Sequence, residues 1–413
     1  MKFPFSMWNY NRFEDFGHVG DTDMDELAVW NRCGLTVPCL PRISCSETDP
    51  AVLVPLPDRA GSLGMRLIAH IDELTYPGVT RFGEDKYRAL CREVYAKIRH
   101  PALFGLFIGD EPNGAASFSS CITAMRIQRE EMPALSPWVN FHTDMDAVDP
   151  AEFGGIPFRE WLKKAASEAG FRIFSYGHYG QVAGEGGIDS YFRNLKALSE
   201  AADAAGVELW NTQLSSAHNV FPVPTEYQFL WQITTAAACG SRGIVWFRFY
   251  DRLAGPNYHG SPVDEYGNLT EQYCRLLRCQ RKFNDHWGET IMGLRHEKTY
   301  LNPSRGGYPA FGPGCHPLIE RIDANAPAVI SFFRDEEGAE HLVLVNASQT
   351  KDGVYKIFFD RERVLLEELL YNGADRSPYE YGNTDAGWDG LWLYPGQMAI
   401  YRITERDICD GKR

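Results

Sequence analysis

Short apolar segments alternate with longer amphipathic segments eight times along the first part of the chain. The apolar segments recur about every 30–37 residues, which is the length of a strand, a helix and their connections. Eight such units before residue 290 predict an α/β fold, a parallel (β/α)8 TIM barrel. The predicted strands begin near Phe3, Leu35, Met65, Leu103, Pro137, Phe171, Val207 and Gly243.

Helical periodicity and capping residues mark the helices between these strands. Residues 188–205 place apolar side chains at helical spacing, which predicts a helix there. Two capping boxes, at 22–25 and 225–228, predict the starts of the first and seventh helices. Helix-ending glycines precede the next strand at Gly34, Gly170 and Gly206.

The pattern changes after residue 291, where short strands and turn signals replace the helices. A Glu-Glu-Gly hairpin signal lies at 336–338, and further strands are predicted over 353–359 and 391–402. Because no barrel-type helix separates these strands, we expect a compact all-β domain, a sandwich. The sequence therefore predicts two domains, a barrel over 1–290 and a C-terminal β-sandwich over 291–405.

Composition narrows the classes of partner. The 413 residues carry a net charge of −14, which argues against a nucleic acid or an anionic membrane as partner. None of the ten cysteines forms a CxxC pair, and those in helices, such as Cys91 and Cys239, are expected to be free thiols. Free thiols fit a reducing compartment. The N-terminus has no signal-type apolar stretch, so we expect a cytoplasmic protein.

The segment LFGLFIGDEPN, at 103–113, places two adjacent carboxylates at the end of a predicted buried strand. A buried carboxylate is costly unless a function or a partner requires it, so Asp110 and Glu111 are candidate functional residues. A salt-bridged or helix-capping pair is the alternative interpretation. Glu111, at the end of a buried strand, is the expected general acid, with a raised pKa.

Polar and aromatic side chains also follow the other predicted strands, and barrel enzymes work at that end of their strands. Such side chains suit a hydroxyl-rich carbohydrate, although core packing is the alternative for the tryptophans. No phosphate loop or dinucleotide fingerprint accompanies them, so we expect no cofactor, and no metal site is predicted. The expected substrate contacts are Trp8, Asn9, His142, Tyr176, His178, Asn211, Gln213, Trp246 and Arg248.

Several stretches resemble the clan A glycoside hydrolases, the superfamily that includes bacterial β-galactosidases with a trimerisation domain. They are FPFSMWNY, IGDEP, ELWNTQLSSAH and QITTAAACGSRGIVWFRFY, and they fall within about residues 3–290. The resemblance is nearest to bacterial members whose fourth strand ends in Asp-Glu-Pro. In clan A that strand ends in Asn-Glu, so the resemblance implies that Glu111 is the acid/base and that Asp110 replaces the Asn. It also implies a carbohydrate substrate and, because such barrels often associate, a homo-oligomer.

The chain departs from this pattern at the seventh strand, where clan A carries a nucleophilic Glu. Asn211 and Gln213 stand there instead, and Glu208 lies at the start of the strand, toward the barrel floor. Asp251 is the preferred second carboxylate, with Asp144, Asp146 and Glu73 as alternatives in a retaining or an inverting mechanism.

Three hypotheses follow from these residues. The first is a glycosidase acting on oligosaccharides or small glycosides. The second is a non-catalytic sugar-binding barrel that lost its nucleophile; Gly177 also replaces an Asp that related sequences often carry. The third is a sugar lyase that uses His178 or Tyr179 as base.

Overall fold

Eight parallel strands form a nearly closed barrel in the computed structural model of the chain, which describes residues 1–9, 18–19, 22–23, 25–251, 259–379 and 390–406. Neighbours pair in the order β1-β8-β7-β6-β5-β4-β3-β2. The carbonyl oxygen of Phe5 accepts hydrogen bonds of 3.0 Å from the N–H groups of Thr36 and Val37, which joins β1 to the segment before β2. The strands are β1 (Phe5–Met7), β2 (Cys39–Ile43), β3 (Leu67–Ile71), β4 (Leu103–Asp110), β5 (Ser136–Phe141), β6 (Ile173–Gly177), β7 (Glu208–Leu214) and β8 (Gly243–Phe247).

Helices cover the outside of the barrel between successive strands, so the predicted fold class is confirmed. The predicted capping box at 225–228 is present at the start of α8. The box at 22–25 is wrong in its first residue, because Thr22 lies in a two-residue strand and Asp25 caps α1 by accepting the N–H of Ala28. The helices are α1 (Glu26–Cys33), α2 (Pro55–Ser62), α3 (Tyr76–Phe82), α4 (Glu84–Ile98), α5 (Ala115–Glu131), α6 (Phe158–Ala169), α7 (Glu185–Ala205), α8 (Glu226–Ala238), α9 (Glu271–Phe283) and α10 (Glu289–Gly293).

The predicted helix-ending glycines are confirmed, since all three adopt the left-handed conformation directly after a helix. The described cysteines are free thiols, and Cys91 and Cys239 are buried. No helix among the described residues is long and apolar enough to cross a membrane.

Aromatic side chains fill the inside of the barrel. At the N-terminal end the guanidinium of Arg66 lies 4.3 Å from the ring centroid of Phe104, and Phe104 stacks on Trp210 with a 2° interplanar angle. Nearer the mouth, Trp8 and Trp138 pack around Phe107. The interior is therefore a packed core that closes the floor of the barrel.

The C-terminal strands form two antiparallel sheets. One has six strands in the order β9-β11-β12-β17-β14-β15, and the other has three in the order β10-β13-β16. The two sheets enclose an apolar core of their own, as expected for a sandwich. Their strands are β9 (Arg295–Asn302), β10 (Arg321–Ala324), β11 (Ala328–Arg334), β12 (Glu340–Asn346), β13 (Gly353–Phe358), β14 (Val364–Leu370), β15 (Asp375–Pro378), β16 (Leu391–Leu393) and β17 (Met398–Glu405).

The central strands of the six-stranded sheet pack their outer face against α8 of the barrel. Val343 and Ile400 of this face belong to the same apolar cluster as the barrel helices. Trp231 donates its indole N–H to the carbonyl of Ala347 at 2.8 Å, and the hydroxyl of Thr234 donates to the carbonyl of Gly396 at 2.7 Å. The outer face of this sheet and the barrel helices therefore belong to one apolar cluster, which is separate from the core between the two sheets.

Gly396 allows the close approach at this junction, and its replacement should loosen it. It has a φ of 72°, and a Cβ atom there would lie 2.5 Å from the backbone nitrogen of Trp231. We expect Gly396→Ala to lower the free energy of unfolding by about 1 kcal/mol from left-handed strain and by about 1–3 kcal/mol more from overlap. Urea unfolding gives the measurement.

The matched control is Gly338→Ala in the β11–β12 turn. Gly338 also has a positive φ, 89°, but no atom lies within 4 Å of the place that a Cβ would occupy, so only the strain should register. Equal losses of stability in the two variants would contradict a tightly packed junction at Gly396.

Candidate active site

A register shift near the end of β4 decides which carboxylate faces the barrel interior. Between β4 and β5 the pairing shifts between Phe107 and Gly109, and Asp110 then pairs with Asn140. Because side chains alternate along a strand, a one-residue shift turns Asp110 to the interior side. Gly109 permits this local geometry: its φ is 155°, and a Cβ atom there would lie 2.4 Å from the ring of Tyr76.

The Asp110 carboxyl is unusually basic for an aspartate. The residue is exposed at the rim, yet desolvation by the protein around its carboxyl raises its pKa to about 6, and the charge of Glu111 adds to this rise. The side-chain N–H of Asn140, which donates to Asp110 Oδ1 at 2.9 Å, opposes the rise, as does His142. Asp110 is therefore mainly ionised at pH 7, and it becomes protonated as the pH falls through about 6.

Glu111 projects at the rim from a strained backbone position. Its φ is 43°, a left-handed conformation that costs a non-glycine residue about 1–2 kcal/mol. Its N–H is fixed by the carbonyl of Asn140 at 2.8 Å, and its Oε2 lies 3.5 Å from Nδ1 of His142. The Glu111 side chain is half-exposed, so a ligand can reach it. Strain of this kind is concentrated at functional sites.

Four of the expected substrate contacts point away from the mouth, and these interpretations are corrected. Tyr176, Asn211, Gln213 and Trp246 are at most 1% exposed and lie between the strands and the surrounding helices. Asn211 donates to the hydroxyl of Tyr176 at 3.1 Å, and Trp246 donates to Gln280 of α9 at 3.1 Å. The strand ends were identified correctly, but the alternate residues are the ones that face inward.

His178 is also corrected, both as a substrate contact and as a lyase base. Its Nδ1 lies 2.9 Å from Oε1 of Gln181, and its Nε2 lies 3.0 Å from Oγ of Ser190 on α7. The ring is buried, and desolvation lowers its pKa. Both ring nitrogens thus have partners within the protein: Nδ1 contacts the loop after β6, and Nε2 contacts α7.

Asp251 and Arg248 lie beneath the surface after β8. The Asp251 side chain is 6% exposed, and its two oxygens accept the N–H groups of Gly260 and Ser261, each at 3.1 Å. Arg248 is 1% exposed, with Nη2 4.0 Å from Asp251 Oδ1. These contacts give both residues a role in holding the segment after β8, and they do not support Asp251 as a nucleophile or base.

Trp8 and Asn9 are buried at the end of β1, below the rim. The Trp8 ring centroid lies 5.1 Å from that of Phe107 and 5.5 Å from that of Trp138. Trp8 therefore forms part of the aromatic layer under the acidic pair, where packing is its role. Of the nine expected contacts, His142 is the one that the described structure places at the rim beside Glu111.

The other carboxylates near the strand ends have local partners. Glu73 accepts the hydroxyl of Ser44 at 2.6 Å and the N–H of Cys45 at 2.8 Å, which fixes the loop after β2. Asp144 accepts a side-chain N–H from Asn194 of α7 at 3.0 Å. The pKa of Asp146 is raised, mainly by desolvation. None of these contacts directs a second carboxylate toward Glu111.

Asp72, at the end of β3, is a rim carboxylate that sequence reasoning did not single out. Its Oδ1 lies 3.5 Å from Nε2 of His70, whose ring packs edge-on against Phe107 inside the barrel. Burial, and then the charge of Arg42, lower the pKa of His70 to about 3, so the imidazole is neutral. Desolvation raises the pKa of Asp72. Asp72 continues the alternation of inward-facing side chains along β3, and this alternation is the sequence signal that could have identified it.

An aromatic wall on the β6–β8 side of the mouth was also missed as a unit. The wall consists of Tyr179, His218, Phe221 and Phe247, all partly exposed. The ring centroid of Phe247 lies 5.5 Å from that of Tyr179 and 4.8 Å from that of His218. Aromatic faces at a rim can stack on the apolar face of a sugar ring.

A cleft of about 380 Å³ adjoins Glu111 on its α5 side, between the loops that follow β4 and β5. Pro112, Asn113, His142 and Thr143 line the part nearest the acidic pair. A cavity of about 500 Å³ lies at the other end of the barrel, near Arg242 and the sandwich, far from these groups. Within the described ranges, no cluster of three or more His, Cys, Asp or Glu side chains is arranged to hold a metal ion.

Comparison with known proteins adds information at the level of the fold. No family model matches the chain, and no curated protein matches it. A solved structure described as a glycoside hydrolase aligns with a TM-score of 0.56 at 11% identity, over 97% of this chain and 92% of that one. A β-galactosidase from Rahnella sp. R3 aligns with a TM-score of 0.52 at 12% identity, over 72% of this chain and 58% of its own.

A third similar structure is the exo-β-1,4-mannosidase Op5Man5 from Opitutaceae bacterium strain TAV5, with a TM-score of 0.50, 14% identity, and coverage of 68% and 60%. The chain spans 58–59% of the length of three β-galactosidases that it matches. These similarities confirm the expected fold, a (β/α)8 barrel with a C-terminal β-sandwich.

The raised pKa of Asp110 has a consequence for stability. A carboxyl whose pKa is about 6 in the folded state, against 3.8 ordinarily, destabilises the fold as the pH rises through 6. We expect Asp110→Asn to raise the melting temperature by about 1–2 °C at pH 8 and to leave it nearly unchanged at pH 4. Thermal unfolding followed by circular dichroism at both pH values measures this difference.

Glu47→Gln, at an exposed carboxyl in the loop after β2, is the matched control and should leave the melting temperature unchanged at both pH values. A variant Asp110→Asn that is equally stabilised at pH 4 and pH 8 would show that desolvation of the charged form is not the cause.

Proposed function

We propose that the protein hydrolyses glycosidic bonds at the mouth of its barrel, with Glu111 as the general acid that protonates the leaving oxygen. The observation that carries this proposal is the Glu111 side chain itself, half-exposed on a strained backbone at the end of β4, with Oε2 3.5 Å from His142. In glycoside hydrolases a carboxylic acid supplies this proton.

The surroundings of Glu111 support the same role. Asp110 is one residue away, and the charge of Glu111 contributes to the raised pKa of Asp110, so the two carboxyls interact electrostatically. The cleft beside Glu111 has room for a leaving group, and the aromatic wall faces the mouth from the β6–β8 side. We propose a carbohydrate as the ligand that binds at this mouth.

We also propose a cytoplasmic location, which the free thiols support.

A leaving-group series tests the acid. Aryl glycosides with poor leaving groups need protonation, whereas dinitrophenyl glycosides do not. We therefore expect Glu111→Gln to lower kcat/KM by about 10²–10⁴ for methylphenyl glycosides and to have little effect on dinitrophenyl glycosides. The panel should include β-galactosides, β-mannosides and their N-acetylated counterparts.

The control is again Glu47→Gln, an exposed carboxyl at the same end of the barrel, which should keep the activity of the wild type. Equal losses of Glu111→Gln on good and poor leaving groups would remove Glu111 as the acid. Full activity of the variant on all of them would do so as well.

A non-catalytic sugar-binding barrel is the second candidate, and β7 is the observation that favours it. The inward-facing residues of this strand nearest the mouth, Thr212 and Leu214, carry no carboxylate, whereas clan A enzymes have their nucleophile there. Binding of a sugar in calorimetry without any turnover in the aryl glycoside panel would support this candidate over the first.

A further inference from the structure

A directional chain of hydrogen bonds crosses the barrel interior and ends on Asp110. Trp138 donates its indole N–H to Oγ of Ser175 at 2.9 Å. Ser175 and Thr212 then donate their hydroxyls to Oδ1 of Asn140, at 2.7 and 2.8 Å. An indole nitrogen can only donate, so the direction of the chain is fixed, and Asn140 must present its N–H to Asp110.

This chain leaves Asp110 as a hydrogen-bond acceptor aimed at the mouth. Its Oδ1 takes the N–H of Asn140, and its Oδ2 has no hydrogen-bond partner among the described residues. The residue is exposed, so a ligand can reach the second oxygen. An ionised carboxylate accepts and cannot donate, so the matching ligand group is a donor.

The nucleophile of a retaining reaction must attack from the face of the sugar opposite to the acid. On β7, Glu208 lies at the floor, where it accepts the indole N–H of Trp210 at 3.4 Å, and the Thr212 hydroxyl is committed to Asn140. Asp72 directly follows β3, which pairs with β4, and it therefore lies on the same side of the mouth as Glu111. The contacts of the strand-end carboxylates described above therefore place none of them opposite Glu111 on the β7 side.

We propose that the substrate brings its own nucleophile: the protein acts on glycosides of N-acetylated amino sugars, and Asp110 receives the N–H of their acetamido group. This inference rests on the proposed function of Glu111 and names the substrate class of that site. An acetamido group at the carbon next to the anomeric centre supplies both parts that the site requires, an N–H donor for Asp110 and a carbonyl oxygen as nucleophile.

Water is the only further reactant that the proposed reaction requires. The acetamido oxygen bonds to the anomeric carbon while the bond to the leaving oxygen breaks, and Glu111 gives its proton to that oxygen. Asp110 stabilises the positive charge on the cyclised group by accepting its N–H. Water then adds to the anomeric carbon, Glu111 takes back a proton, and the ring opens to the acetamido group. Two inversions give a product of retained configuration.

A matched substrate pair tests the proposal. We expect para-nitrophenyl N-acetyl-β-glucosaminide or N-acetyl-β-galactosaminide to be cleaved at least about 10³-fold faster than the corresponding β-glucoside or β-galactoside, because an intramolecular nucleophile has a large effective molarity. Successive fluorination of the acetamido methyl group should lower kcat stepwise, and proton NMR should show the retained anomer first.

The variant Asp110→Asn provides a second test, of the role of Asp110. It should lower kcat on the N-acetylated substrate by about 10²-fold. It should also weaken binding of the thiazoline derived from N-acetylglucosamine, a stable mimic of the cyclised intermediate, in calorimetry. Glu47→Gln is the control and should change neither. In the wild type, the acid limb of kcat/KM should fall near pH 6, the pKa of Asp110.

Asn140→Ala tests the chain itself as a positioning device. Loss of its N–H removes a bond that lowers the pKa of Asp110, so the acid limb should move above pH 6. A variant that merely loosened the fold would lower the rate without moving this limb.

These experiments distinguish failure of the acetamido proposal from failure of Glu111 as the acid. Equal cleavage of N-acetylated and hydroxylated substrates, or an inverted product, overturns the acetamido proposal and leaves Glu111 as the acid of a glycosidase. No cleavage of any glycoside together with no thiazoline binding overturns both proposals.

Discussion

The single register shift between β4 and β5 sets the chemistry of the barrel mouth. Without it, strand alternation from Phe107 would direct Glu111 inward and place Asp110 against the helices. With it, Asp110 enters the interior hydrogen-bond chain and Glu111 moves out to the rim beside His142. The shift depends on a glycine at 109, because the ring of Tyr76 occupies the space that any side chain would need.

The sequence was sufficient for the architecture because the barrel repeats one strong pattern. Each of the eight strands was expected within four residues of where it begins, and the change to β-structure after the barrel is clear in the turn signals. The pattern did not show which alternate residues of each strand face the barrel interior. Strands buried on both faces are apolar on both, so Asn211 and Gln213 looked like a ligand-facing pair when they belong to the helix side. A bulge such as that at Gly109 is a local event that periodicity does not reveal.

Interior polar residues illustrate the same limit. Asn140, Ser175 and Thr212 come from three different strands, and only the closed barrel brings them around one amide. None of them is unusual in its own segment. Their shared contact is a tertiary property. It directs the Asn140 N–H to Asp110, where this hydrogen bond opposes the rise in pKa that desolvation causes.

The stack of Arg66, Phe104 and Trp210 affects how a ligand can enter and leave the barrel. These side chains close the N-terminal end of the packed interior, so a ligand bound at the mouth cannot pass through the barrel. It must leave by the route by which it entered, and the loops of the rim control both steps.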